Sequence, residues 1–289
     1  MKKILVTGAN GQLAKCMKDV ANNYSELELH FVTRSQLDIS NHEAVAAWLQ
    51  NKSFDYCINT AAYTNVEKAE SEKDAVFATN AEGAKYLSDA CEKHDVTLIH
   101  ISTDYVFDGT KRNPYSEEDR TNPINIYGAS KLQGEEYIVA SGCRYLIFRT
   151  SWLYSQYGHN FFNTVLRYAS EGKPLTVTTE QTGVPTNAND LANAILKIIS
   201  SNADIYGIYH FSNSGSATWY DFAEAILEYT GQLGSAKLAK TNHYRTFAKR
   251  PEYSILNTTR FSEAFRIVPL PWRESLKELV EINLTKKRN

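Results

Sequence analysis

The sequence predicts an α/β chain: a doubly wound parallel sheet with helices on both faces, followed by a smaller C-terminal lobe. Three observations predict it. Short apolar runs of strand length alternate with longer segments of helical period. The first run passes at once into a glycine turn that opens a helix. Near residue 150 the alternation loosens, and prolines and aromatics take over, as in Gly172-Lys173-Pro174 and Pro269-Leu270-Pro271.

Taken in order, the runs at 3–7, 27–32, 56–59, 96–102 and 145–149 read as buried strands, and 11–22, 41–51, 71–93 and 129–140 as the helices between them. Parallel strands need such crossovers, which are right-handed and place helices on both faces. Ser40, with Glu43 three residues on, reads as the capping box of the second helix. Beyond 150, residues 189–199 read as an amphipathic helix and 205–211 as a further strand. The expected division is a dinucleotide-binding domain over 1–150, with returning segments at about 183–212 and 252–262. A substrate lobe is expected over about 151–182, 213–251 and 263–289.

Composition excludes several classes. The chain is 43% apolar and 22% charged over 289 residues, ordinary for a globular protein, with no repeat or low-complexity tract. A net charge of −2 offers no basic field, so nucleic acid is not an expected partner. No apolar stretch approaches a membrane span, and the run after Met1 ends within three residues of Ile4, too short for a signal peptide. Cys16, Cys57, Cys91 and Cys143 are scattered, with no CxxC. They read as reduced, buried thiols in a cytoplasmic protein.

The turn Thr7-Gly8-Ala9-Asn10-Gly11-Gln12-Leu13-Ala14 lies between the first strand and first helix. Gly8 permits the tight turn, and Gly11 brings backbone N–H groups up to a pyrophosphate at the positive end of the helix. This makes the sheet Rossmann-like. The second strand ends in Thr33-Arg34-Ser35 where an NAD site usually carries an acid. Arg34 offers a guanidinium to a 2′-phosphate, so NADPH is the expected cofactor, with NADH the other option. Asp38 and Ile39 follow, a carboxylate for the adenine amino group and an apolar cover for the ring.

Tyr127-Gly128-Ala129-Ser130-Lys131 puts a phenol and an ammonium on one helix face at i, i+4 spacing. A free phenol titrates near about 10, too high for acid–base work at neutral pH, and a neighbouring ammonium is expected to lower it. Ser102-Thr103-Asp104 ends the fourth strand, at the sheet edge that lines the ligand crevice, so Thr103 is placed to hydrogen-bond a carbonyl being reduced.

Together these motifs resemble the extended short-chain dehydrogenases/reductases, in which Asn80-Ala81-Glu82-Gly83 also finds a place. Ser102–Phe107, Asn125–Lys131, Phe148–Tyr154, Gln181–Thr186 and Arg250-Pro251 narrow the likeness to the dTDP-4-dehydrorhamnose reductase family, over nearly the whole chain. The resemblance implies reduction by NADPH of the C4 ketone of dTDP-4-dehydro-L-rhamnose, the last step of dTDP-rhamnose synthesis. It implies Tyr127 as proton donor, Lys131 as its activator and ribose anchor, and Thr103 as carbonyl partner. Asp104, Trp152 and Val66 would contact the sugar. Gly11, Gln12 and Leu13 would hold the pyrophosphate, and Ala61, Ala62 and Tyr63 would flank the nicotinamide ribose.

Some members of that family are dimers bridged by magnesium through two glutamates. The matching positions here carry Cys16 and Asn189, neither of them a carboxylate, so no such metal and at most a weak homodimer are expected. The rival readings are another nucleotide-sugar reductase or epimerase of the same superfamily, and a non-catalytic NADP-binding regulatory subunit. The intact set Thr103, Tyr127 and Lys131 argues against the latter.

Overall fold

The structure, a computed structural model, describes residues 1–50, 52–242 and 245–288, without the side chains of 284–288. In chain order the first half runs β1 (Lys2–Thr7), α1 (Gln12–Val20), β2 (Leu27–Val32), α2 (His42–Gln50), β3 (Tyr56–Asn59), α3 (Val66–Ala69), α4 (Lys73–Phe77), α5 (Gly83–Lys93), β4 (Thr97–Thr103), α6 (Ile126–Ala140) and β5 (Tyr145–Thr150). The second half runs β6 (Leu153–Tyr154), α7 (Phe161–Ser170), β7 (Leu175–Thr178), β8 (Thr182–Gly183), β9 (Thr186–Asn187), α8 (Ala188–Ser200), β10 (Gly207–His210), β11 (Ala217–Thr218), α9 (Trp219–Tyr229), β12 (Leu238–Thr241), α10 (Thr259–Phe265) and α11 (Trp272–Arg288). The expected end of the second helix, Asn51, lies outside the described residues.

Among the described residues the main sheet is six-stranded, in the order β10-β5-β4-β3-β1-β2, and its pairings are parallel. The strand order reverses direction between β1 and β3. In an open parallel sheet that switch point leaves a crevice at the strands' carboxyl ends. Side-chain alternation along each strand feeds two cores. Ile4, Val6, Ile58, Ile99 and Phe148 pack against α1, α8 and Phe261 of α10. Leu5, Cys57, Leu98 and Ile147 pack against α2, α5 and Ile138 of α6. A third core joins Phe162 and Val165 of α7 to Leu175, Phe222, Ile226, Leu276 and Leu279. α1, α2, α5, α7, α8 and α9 each turn an apolar stripe to one of these cores, whereas the buried face of α6 carries Ser130, Lys131 and Glu135 beside Ile138.

Three local expectations need correction. Ser40 is not the cap of α2: its N–H and hydroxyl donate to Asp38 Oδ1 at 3.0 and 2.7 Å, and Asn41 Oδ1 accepts the Ala44 N–H at 2.9 Å instead. The Asx turn at Asp38 has already taken up Ser40. The helix expected over 71–93 is interrupted by a π turn at Ala78–Glu82, which turns Asn80 inward. Its amide then bonds the Tyr63 N–H at 2.8 Å, the Tyr63 carbonyl at 3.0 Å and Ser130 Oγ at 3.0 Å. The helix expected from 129 begins at Ile126, because Asn125 caps it by accepting the Gly128 N–H at 2.8 Å.

The four cysteines are free thiols and buried. Among the described residues no helix is long and apolar enough to cross a membrane.

Beneath the crevice lies a buried ion pair. Glu135 of α6 accepts Arg149 Nε at 3.1 Å and Nη2 at 2.7 Å, and Ser102 Oγ also donates to it. Both members are almost wholly buried, so removing one strands the other in a poor solvent for charge. Glu135→Ala is therefore expected to cost roughly 3–5 kcal/mol in urea denaturation. A loss below about 1 kcal/mol, the range of exposed pairs, would refute this.

Candidate active site

The glycine turn comes first in the construction of the site. Gly8 has φ +71°, and a Cβ there would stand 2.7 Å from the backbone N of Ala61. Only glycine lets the turn after β1 pass this close to the loop after β3. The N-terminus of α1 is thereby held over the crevice. Its cap residue Gly11 makes no side-chain cap bond, so first-turn N–H groups face the cleft. The Gln12 side chain is used differently: it donates to the Leu153 carbonyl at 3.2 Å and accepts from Ser155 at 3.1 Å and Asn160 at 3.2 Å.

Two adjoining cavities open here. The larger, about 580 Å³, is lined by Gly11, Gln12, Leu13, Ala62, Val66, Thr103, Asp104, Tyr127, Lys131 and Trp152, among others. The smaller, about 250 Å³, is lined by Gly8, Gly11, Arg34, Ile39, Ala61, Ala62 and Tyr63, with Leu37 and Thr79. Among the site residues read from the sequence, Asp38 lines neither. Its carboxylate is spent on Ser40 and on Arg34 Nε at 3.0 Å, and Leu37 occupies the wall. Arg34 is highly exposed at the rim, so this ion pair is weak and easily exchanged.

Trp219, which the sequence did not single out, and Arg250, noted there only within the Arg250-Pro251 likeness, help to complete the larger cavity. Trp219 stacks on Trp152 at 3.7 Å between ring centroids and 8° between planes, and donates from Nε1 to Gln181 at 2.8 Å. Trp152 has φ +46°, a strained conformation for a side-chain-bearing residue. Gly183 admits its indole: a Cβ there would lie 2.6 Å from Trp152 Cε2. Arg250 also lines the cavity and is anchored by Glu67 at 2.8 Å, whose other oxygen accepts the Phe247 N–H at 2.9 Å. The signal for Trp219 in the sequence is an aromatic just after Thr218, the hydroxyl of a capping box.

The electrostatics correct one expectation. Tyr127 is not made acidic: burial pushes its phenol up to about 12, hydrogen bonding with Thr103 pulls the other way, and Asp104 adds to the rise. Lys131 is itself brought down to about 8 by burial, with Glu135 opposing. Its Nζ lies 2.9 Å from His100 Nε2. Burial disfavours the charged form of both groups and is the largest cause of each shift. The outcome is a phenol held in its protonated form.

Cys16 is packed in the core, and Asn189 bonds Gln156 at 2.9 Å and Asn187. No cluster of three metal-ligating side chains occurs among the described residues.

With this geometry in hand, likeness to known proteins is informative. A family model described as RmlD substrate binding domain matches residues 1–284. The chain belongs to this family. It is 40% identical over 287 residues to a dTDP-4-dehydrorhamnose reductase of Sinorhizobium fredii, covering 96% of each chain. It is 38% identical to the Bacillus subtilis spore coat polysaccharide biosynthesis protein SpsK, over 97% of this chain and 98% of that one. Among solved structures, a Bacillus anthracis dTDP-4-dehydrorhamnose reductase in complex with NADP superposes with a TM-score of 0.92 at 36% identity, over 96% of this chain and 99% of that one. UDP-glucose 4-epimerase of Thermotoga maritima shares the fold, with a TM-score of 0.82 at 19% identity.

Asp104 yields a pH prediction. It is buried, and its carboxyl is pushed up to about 7 by burial, with hydrogen bonds from Ser254 and Thr103 opposing. Its folded pKa exceeds its unfolded one, so the folded chain holds the extra proton between those values, and stability falls as pH rises through that window. Asp104→Asn abolishes this. Its stability relative to the parent is expected to rise by on the order of 4 kcal/mol from about pH 4 to about pH 8, read by urea denaturation. Identical pH profiles would refute the assignment.

Proposed function

We infer that the chain is an NADPH-dependent oxidoreductase that reduces the C4 ketone of dTDP-4-dehydro-L-rhamnose to dTDP-L-rhamnose. One observation carries the reading: the half-buried phenol of Tyr127 shares a cavity with Thr103, Lys131 and the open N-terminus of α1. Family membership narrows the ketone to a dTDP sugar, and the substrate lobe is read over about 151–182, 213–251 and 263–289, around the third core.

The chain's residues fit a dinucleotide. The Gly8 turn lets the loop after β3 approach the start of α1, α1 presents uncapped N–H groups, and Ile39 and Leu37 wall an apolar slot. Arg34 stands at the rim for a 2′-phosphate, and Ala61, Ala62 and Tyr63 flank the ribose. Bound there, the reduced nicotinamide supplies a hydride.

The protein's own part is the proton. Thr103 bonds the ketone oxygen and turns it towards Tyr127, which donates its phenolic hydrogen as the alkoxide forms. Lys131 stabilises the phenolate that results and binds the ribose hydroxyls. Asp104, Val66 and the Trp152–Trp219 stack hold the sugar, with Trp152 fixed in its strained conformation by Trp219 and Gly183.

The direct test is loss of NADPH absorbance with purified dTDP-4-dehydro-L-rhamnose. Turnover is expected with this ketone, and silence with it would overturn the reading. Tyr127→Phe is expected to lower turnover by ~10²–10⁴-fold with cofactor affinity nearly unchanged in fluorescence titration. Full activity would remove Tyr127 as donor. Arg34→Ala is expected to raise the KM for NADPH while leaving that for NADH unmoved. A parallel change in both would show that Arg34 does not read the 2′-phosphate.

A further inference from the structure

Beside Lys131 lies a buried titratable group that the roles of Tyr127 and Lys131 leave unused. His100 sits in the middle of β4, wholly enclosed, in an otherwise apolar stretch of the strand. Its Nε2 lies 2.9 Å from Lys131 Nζ, and its Nδ1 lies 3.1 Å from Asn59 Nδ2. The orientation of the Asn59 amide follows from its other contacts: Oδ1 accepts the Thr7 hydroxyl at 2.7 Å and the Ala61 N–H at 3.2 Å. Nδ2 therefore faces the ring, and an amide nitrogen only donates.

The consequence is a matter of counting hydrogens. His100 Nδ1 must accept, so the neutral ring carries its hydrogen on Nε2, directed at Lys131. That hydrogen bond needs a lone pair on Nζ, which an ammonium lacks. In this arrangement Lys131 is an uncharged amine. An ammonium at Lys131 requires a bare Nε2, the ring hydrogen on Nδ1, and Asn59 turned so that Oδ1 faces the ring. We propose that His100 is the positioning residue that sets the charge of Lys131, through a tautomer exchange coupled to the Asn59 amide. The proposal rests on the reading of Lys131 as the partner of Tyr127.

The exchange balances. One proton enters from solvent: an N–H bond forms at Nδ1, the Nε2–H bond breaks, and its hydrogen passes to Nζ. The surroundings favour neither charge strongly. Glu135, one turn along α6, attracts an ammonium but is already paired with Arg149 of β5 and bonded by Ser102 of β4. Asp104 and Tyr127 share the cavity with Lys131, and β3 contributes the neutral Asn59. Burial holds the His100 ring well below its usual range, so the ring itself stays uncharged while Lys131 titrates. Turning Asn59 also releases the Ala61 N–H, the first amide of the loop assigned to the nicotinamide ribose. Lysine charge and cofactor loop are thereby coupled through a single amide.

The test uses the full chain without cofactor, labelled with nitrogen-15. Long-range proton–nitrogen spectra report histidine tautomers directly, and His100→Gln identifies the His100 signals among the seven histidines. The expected result is a change from the Nδ1–H to the Nε2–H tautomer as pH rises through about 8, where Lys131 loses its proton. One tautomer from about pH 6 to about pH 10 would overturn the proposal.

Activity supplies the second reading. Reduction needs the ammonium, so kcat/KM falls as pH rises through the Lys131 pKa. His100→Gln, whose Oε1 accepts from an ammonium, is expected to move that alkaline limb up by about one pH unit. Asn59→Leu, which removes the donor to Nδ1, is expected to move it the same way and serves if the glutamine variant does not fold. A fall in kcat at every pH with the limb unmoved would mark His100 as merely structural and overturn the proposal. The tautomer titration needs no turnover, so its failure is distinguishable from an error in the assigned substrate.

Discussion

A close approach of two backbones, at Gly8 and Ala61, governs the rest of the structure. The turn after β1 and the loop after β3 meet where the strand order reverses, with room for a hydrogen but not a methyl group between them. That contact orients α1 so that its N-terminal amides open on the crevice and sets the adjoining cavities on either side of one loop, residues 60–63. Neither the opening of α1 on the crevice nor the placement of Ala61 and Ala62 survives a wider separation.

Above this frame the site is dominated by burial. Tyr127, Lys131, His100 and Asp104 lie in a region where charge is costly, and each is moved toward its neutral form. This suits the proton-donor role proposed for Tyr127, because such a phenol must hold its proton until the alkoxide appears. The charges that remain are paired: Glu135 with Arg149 beneath the crevice, and Glu67 with Arg250 at its side. The first pair ties α6 to β5. The second ties the start of α3, next to Val66, to the segment after β12, so parts distant in sequence share one wall.

The segments after β5 contribute rigid aromatic surface. Trp152 leaves the end of β5 in a strained conformation and is clasped between Trp219 and the bare backbone of Gly183. Strain of roughly 1–3 kcal/mol persists only where surrounding structure over-determines it. Here three segments do so, which fixes an indole against the cavity at little conformational cost on binding.

The sequence by itself determined the elements and the chemistry that depends on local spacing. Strand and helix periods, the glycine turn, the i, i+4 relation of Tyr127 to Lys131 and the strand-end Thr103 are all properties of neighbours along the chain. The tertiary structure alone decided what each side chain meets. Asp38 turned away to Arg34 and Ser40, Asn41 displaced Ser40 as the cap, and a π turn drove Asn80 inward. Trp219 and Arg250 reached the cavity from segments about 70 and 100 residues beyond Trp152 (spacing follows the sequence numbering), and no periodicity encodes such meetings. The protonation of Tyr127 reversed for the same reason. Spacing announces the neighbouring ammonium, but only packing reveals how far both groups are removed from water, and desolvation is the larger effect.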